Sequence, residues 1–64
     1  MCLSSVYNEK RELLAKNVAA VKAEKGRLVF TDIMGIPVSV SGTIEKVDLM
    51  ENEIFIRQTE ERSA

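Results

Sequence analysis

The chain has 64 residues, which is enough for one domain, and a domain of this length buries only about 60% of the surface that its unfolded chain exposes. Its 45% apolar and 30% charged residues are typical of a globular protein, and its net charge of −1 argues against a general nucleic-acid binder. Histidine is absent, which removes the usual general base and the commonest metal ligand, so an enzyme is the least favoured class.

The first predicted element is a short strand, Cys2–Tyr7, which ends in a polar turn. Residues 12–25 are rich in Ala, Leu, Lys and Glu, and their composition favours a helix with Gly26 as its C-terminal cap. Three apolar residues repeat there at helical spacing: Leu14, Val18 and Val21. The competing interpretation is one or two strands with a kink near Asn17.

From residue 27 onwards the pattern is that of strands separated by turns. The predicted strands are Arg27–Thr31, Val38–Ser41, Thr43–Leu49 and Glu53–Arg57, with turns at residues 32–37 and 50–53, a bulge or bend at Gly42, and a fraying tail at residues 58–64. Ile54 and Ile56 share one face of the last strand. Turn signals recur about every 10 residues, which is typical of a small barrel or curled antiparallel sheet.

Cys2 is the residue best equipped for chemistry. A thiolate is a soft ligand for zinc, copper(I) or nickel, and near a chain end an amine, an amide nitrogen and a thiolate can form a planar chelate suited to nickel(II) or copper(II). In a twofold dimer, two Cys2 thiolates can share one metal. The alternatives are a reactive thiol or a small apolar residue that starts a strand, and the residues alone favour the last of these.

Other side chains give weaker signals. The ten carboxylates are spread along the chain without an acid/base pair or a calcium loop, and the three glycines do not have the spacing of a phosphate loop. We expect the side chains of Met1, Met34 and Met50 to fill the core or a dimer face rather than to ligate metal through their thioethers. Three aromatic residues are too few for an obvious base-stacking platform, namely Tyr7, Phe30 and Phe55.

The N-terminus has neither a basic segment nor an apolar segment of the kind found in signal peptides. No apolar run approaches the roughly 18 residues that are needed to cross a bilayer. We therefore expect a cytoplasmic protein without a membrane span, in which a free thiol stays reduced.

An ordered set of short motifs covers nearly the whole chain and resembles the CooT family of small nickel-binding proteins. The motifs are the opening Met1-Cys2-Leu3 with Val6-Tyr7, residues 17–26 (NVAAVKAEKG), 28–35 (LVFTDIMG), 42–49 (GTIEKVDL) and 54–56 (IFI). Each motif alone is weakly specific for the family. The same motifs in this order within so short a chain are more specific for it.

The resemblance implies a single all-β domain over residues 1–64, an SH3-like antiparallel β-barrel that forms a homodimer, with strands rather than a helix at residues 12–25. It also implies a metallochaperone that binds Ni2+ through Cys2 and serves a nickel enzyme, carbon monoxide dehydrogenase, or its maturation proteins. Participation of the Met1 backbone nitrogen is a chemical inference added to this. Some members of the family are labelled putative RNA-binding proteins, so a small RNA-binding barrel is the alternative, although the charge balance argues against RNA.

Overall fold

Five strands follow one another along the chain and close into a barrel in the order β1-β2-β3-β4-β5. The strands are β1 (Ser4–Tyr7), β2 (Leu13–Glu24), β3 (Arg27–Asp32), β4 (Pro37–Asp48) and β5 (Glu53–Gln58). The computed structural model describes residues 3–59, and these contain no helix. Neighbouring strands pair antiparallel except β1 and β5, whose parallel pairing closes the ring. The prediction of an all-β barrel is confirmed.

The segment that composition alone assigns to a helix is the long strand β2, so that assignment is wrong and the assignment drawn from the family resemblance is confirmed. β2 pairs with β1 between Leu13 and Val18, and with β3 between Val18 and Glu24. The predicted kink is present at Asn17, which has a φ of 56°. A helix preference of a few tenths of a kcal/mol per residue is small beside two hydrogen-bonded ladders and a shared core.

Gly26 belongs to a hairpin turn and does not cap a helix. Glu24 pairs with Arg27, so Lys25 and Gly26 form a two-residue connection between β2 and β3. Their φ values of 39° and 78° are both positive, as a type I′ turn requires. This turn has the twist that lets β3 fold back along β2.

Gly42 is where β4 changes partners, and the strand continues through it, so the predicted division into two strands at this residue is wrong. Ser41 still pairs with Arg27 of β3, whereas Gly42 pairs with Gln58 of β5. A Cβ atom at Gly42 would lie 2.5 Å from the carbonyl oxygen of Arg57, closer than real Cβ contacts. The register shift in this hairpin lies further on, between Ile44 and Lys46.

The core is formed by six buried apolar side chains contributed by four of the strands: Val6, Val18, Leu28, Phe30, Ile54 and Ile56. The prediction that Ile54 and Ile56 share an inward face is confirmed. Burying each such side chain contributes about 1.5–3 kcal/mol, so a core of this size leaves little margin. Gln58 ends β5, the Thr59 N–H donates to the Ser41 carbonyl, and residues 60–64 of the predicted tail lie outside the described residues.

Candidate functional site

Met1 and Cys2, the predicted metal ligands, lie outside the described residues, but the chain that follows them is held firmly at one end of the barrel. Ser4 pairs with Val18 of β2, and Ser5 pairs with Glu53 of β5. The Ser5 N–H also donates to the Asn52 carbonyl at 3.0 Å.

β2 has an unpaired side next to this point. Up to Val18 the β1-facing side of β2 is paired, and beyond Val18 the strand pairs through its other side with β3. Within residues 3–59, the β1-facing side of Ala19–Glu24 therefore has no strand partner. The first two residues of this unpaired segment, Ala19 and Ala20, have small exposed side chains.

Two turns flank this end of the barrel and carry exposed apolar side chains. The β3–β4 turn is tied to β2 by a 2.9 Å hydrogen bond from the Ile33 N–H to the Asn17 carbonyl, and the β4–β5 turn is tied to β1 through Asn52. Five large apolar residues project from the two turns, and we call them the apolar rim: Ile33, Met34, Ile36, Leu49 and Met50. Met34 and Met50 are 78% and 90% exposed, so a role in the core is wrong for both, and a role in a dimer face stays a prediction.

Aspartates hold both turns in place. Asp32 Oδ1 accepts hydrogen bonds from the Met34 and Ile36 N–H groups, each at 2.9 Å. Asp48 Oδ1 accepts from the Met50 and Glu51 N–H groups at 3.1 and 3.0 Å. Each carboxylate thus satisfies the backbone of its own turn and directs the apolar side chains outwards.

The remaining carboxylates are dispersed. Within residues 3–59, no group of three or more Cys, Asp or Glu side chains is placed to hold a metal ion. Glu45 accepts a 2.9 Å hydrogen bond from Arg57 Nε. This ion pair raises the pKa of Arg57, mainly through that hydrogen bond.

The family model of CooT, described as the CO dehydrogenase accessory protein CooT, matches residues 1–57. The chain belongs to the CooT family. The match includes Met1 and Cys2 as well as all but the last residue of the barrel strands. It gives this CooT-family chain an accessory role in CO dehydrogenase maturation, and the family is an accessory one rather than a catalytic one.

No curated protein matches the chain significantly. Within residues 3–59, no helix is long and apolar enough to cross a membrane. The family assignment therefore rests on the family-model match over residues 1–57.

The opposite end of the CooT barrel contains a polar cluster that the sequence did not reveal. Asn8 is buried, its Oδ1 accepts from the Lys10 and Glu12 N–H groups, and its Nδ2 donates to the side chains of Glu12 and Gln58. Nearby, Glu9 Oε1 accepts from the Gln58 N–H at 3.0 Å, which lowers the pKa of Glu9. These contacts fasten the end of β5 to the β1–β2 turn.

The outer face of the barrel holds a second feature that sequence reasoning missed. Tyr7 and Phe55 stack with ring centroids 5.6 Å apart and an interplanar angle of 24°. No local pattern in the sequence signals this pair, because it depends on the parallel pairing of the first and last strands. The expectation that three aromatic residues are too few for an obvious base-stacking platform stays a prediction.

Proposed function

We propose that this chain is a nickel-binding accessory protein, a metallochaperone that holds Ni2+ as cargo through the Cys2 thiolate for CO dehydrogenase maturation. The observation that carries the proposal is the family match, which includes Cys2 and extends to residue 57. The anchoring of β1 directly after Cys2 supports it, because a ligand near a fixed strand can be presented at one end of the barrel.

The donor chemistry of the chain agrees with this role. The sequence has one cysteine and no histidine, so the thiolate of Cys2 is its strongest soft ligand. The Met1 amine and the backbone nitrogen between the two residues add the nitrogen donors that square-planar nickel(II) accepts. A site made of so few ligands near a chain end leaves positions open, through which a receiving protein can take the metal by ligand exchange.

We further propose that the protein acts as a homodimer in which two Cys2 residues lie near the twofold axis. One chain supplies one thiolate, so a second copy doubles the number of soft ligands at the ion. The apolar rim flanks the end from which the N-terminal residues emerge, and covering it would remove exposed Leu49 and Met50 from water. This end of the barrel is therefore the proposed contact between the two copies.

The first test is a calorimetric titration of nickel into the wild type and Cys2→Ser. We expect the substitution to weaken binding at least about 100-fold, because a hydroxyl is a far poorer soft-metal ligand than a thiolate, while the thermal unfolding midpoint stays unchanged. Lowering the pH from 7.5 to 5.5 should also weaken wild-type binding, because protons compete for the thiolate and amine. Equal nickel affinity in wild type and Cys2→Ser would overturn the proposal.

A second experiment tests whether the Met1 amine is a nickel ligand. A Gly-Ser extension placed before Met1 converts its amine into an amide but leaves Cys2 unchanged. We expect weaker nickel binding with a smaller pH dependence, because one titrating donor is lost. Affinity and pH dependence equal to the wild type would remove the Met1 amine from the site and leave Cys2 as the ligand.

The RNA-binding alternative has less support. Cations on the barrel lie beside acids, as in the pairs Lys22–Glu24 at 3.1 Å and Arg57–Glu45 at 2.9 Å. Interleaved charges of this kind do not form the continuous basic groove that follows a phosphate backbone. A titration with mixed-sequence RNA at 50 and 200 mM salt tests this alternative. Strong, salt-sensitive binding would favour an RNA-binding function, and the absence of such binding would remove it.

A further inference from the structure

The outer face of β1 and β5 presents two aromatic rings side by side. Val6, Ile54 and Ile56 point into the core, so the alternating residues Tyr7 and Phe55 point outwards. The parallel register sets Tyr7 directly opposite Phe55, and their rings lie nearly parallel. Both residues are half-buried, so part of this aromatic pair remains in contact with solvent.

Two cations approach the same pair. Arg11 Cζ lies 5.6 Å from the centroid of the Phe55 ring, and Lys46 Nζ lies 5.7 Å from it. Because β5 lies between β1 and β4, Lys46 and Tyr7 approach Phe55 from opposite sides. The nearest carboxylate to Lys46 is Asp48 at 4.0 Å, at the limit of an ion pair. Positive charge is thus concentrated around exposed aromatic surface.

A cavity of about 210 Å³ lies against these rings, lined by Tyr7, Arg11, Glu53 and Phe55. Glu53 is two residues before Phe55 on β5, so both side chains stand on the same face of the sheet. The cavity is smaller than the sites of about 300–1,000 Å³ that enclose drug-sized ligands, so it suits a single ring system. It combines an aromatic wall, a carboxylate and a guanidinium.

We propose that this cavity binds the guanine base of a nucleotide. A base can stack on Tyr7, which Phe55 backs from its other side, as bases do on aromatic side chains in single-strand binding sites. The Glu53 carboxylate can only accept hydrogen bonds, and the Watson–Crick edge of guanine offers it two donors, whereas adenine presents an acceptor in the centre of that edge. Arg11 and Lys46 supply positive charge for the attached phosphate.

The site is separate from the proposed metal site. None of its residues is a proposed metal ligand, although Glu53 pairs with Ser5 near the start of β1 while Tyr7 ends that strand. The guanine site can therefore fail while nickel binding succeeds, and the reverse. The shared chemistry, a guanine with a phosphate, is found in a free nucleotide and in a single strand of RNA.

The test is an NMR titration that follows the ring protons of Tyr7 and Phe55, two of only three aromatic residues in the chain. We expect guanosine monophosphate to shift them saturably, adenosine monophosphate to bind about tenfold more weakly, and ribose 5-phosphate to leave them unchanged. A short single-stranded RNA with one guanine separates the sources: binding much tighter than the mononucleotide indicates a strand, and equal binding indicates the free nucleotide.

Glu53→Gln should abolish the preference for guanine over adenine, because an amide offers both a donor and an acceptor. Glu51→Gln, which removes the same charge from the neighbouring turn, is the matched control and should keep the preference. Tyr7→Leu should reduce guanosine monophosphate binding about tenfold by removing the stacking surface, and its β-sheet amide shifts report whether it is folded. Equal shifts with the two nucleotides, or no saturable shift with either, would overturn the proposal.

Discussion

Among the residues that the structure describes, Asn8 is the buried polar side chain, with 3% of its surface exposed. Its amide uses every common bonding position: Oδ1 accepts two backbone N–H groups at 2.8 and 2.9 Å, and Nδ2 donates at 2.7 and 3.0 Å. It thereby shapes the β1–β2 turn and links that turn to Gln58, 50 residues away. One side chain thus fastens the last strand to the first turn.

We expect Asn8→Ala to lower the free energy of unfolding by about 2 kcal/mol, because it leaves two backbone N–H groups without an acceptor in a partly buried site. Urea denaturation followed by circular dichroism measures this. Gln58→Ala is the matched control, since it removes one of the four hydrogen bonds, and we expect it to cost about 1 kcal/mol. Equal losses in the two variants would mean that the turn does not depend on Asn8.

For single residues, the sequence predicted the structural role of some and not of others. The shared face of Ile54 and Ile56 followed from the two-residue period of a strand, which is a local property, and the structure turns that face inwards. The burial of Asn8 and the Tyr7–Phe55 stack depend on partners about 50 residues away, so no local pattern reports them. Cys2 was found as a candidate by its chemistry, and its assignment as a ligand came from the family resemblance.

Among the elements, β2 shows most clearly how tertiary context overrides propensity. Its residues favour a helix, yet each half of the strand completes a ladder with a different neighbour. The change of partner requires a bend, and Asn17 provides it with a left-handed backbone that Asn tolerates better than most residues. The sequence predicted the position of this kink, but only the pairing of β1 and β3 with β2 decides between strand and helix.

We expect Asn17→Ala to lower the free energy of unfolding by about 1 kcal/mol, because alanine adopts a φ of 56° less readily than asparagine. Asn17→Gly is the control, since glycine adopts this φ without steric cost, and its stability should equal or exceed that of Asn17→Ala. The Asn17 side chain is exposed, so packing contributes little to the comparison. An alanine variant clearly more stable than the glycine variant, measured by urea denaturation, would contradict a strained bend at this position.

For the whole molecule, the distribution of exposed apolar residues separates the two ends of the barrel. One end is closed by the polar cluster around Asn8 and Glu9, and the other carries the apolar rim beside the start of β1. A chain of 64 residues buries a small core, so covering these residues in a dimer would add stability that the single barrel lacks. The same contact would bring two N-termini, and with them two thiolates, towards one metal ion.

The dimer contact can be tested by changing the rim without touching Cys2. We expect the wild type to sediment with twice the chain mass of 7.2 kDa, and Leu49→Glu/Met50→Glu to sediment as a monomer, because four like charges would face one another across the twofold axis. In native mass spectrometry, the wild type should carry one nickel ion per two chains, and the monomeric variant should bind nickel more weakly through a single thiolate.

Met50→Leu is the control, because it keeps the apolar surface, and it should remain dimeric with wild-type nickel content. A wild type that stays monomeric at all concentrations would overturn the shared site. A dimer that survives the two charges would place the contact elsewhere, most simply along the unpaired side of Ala19–Glu24.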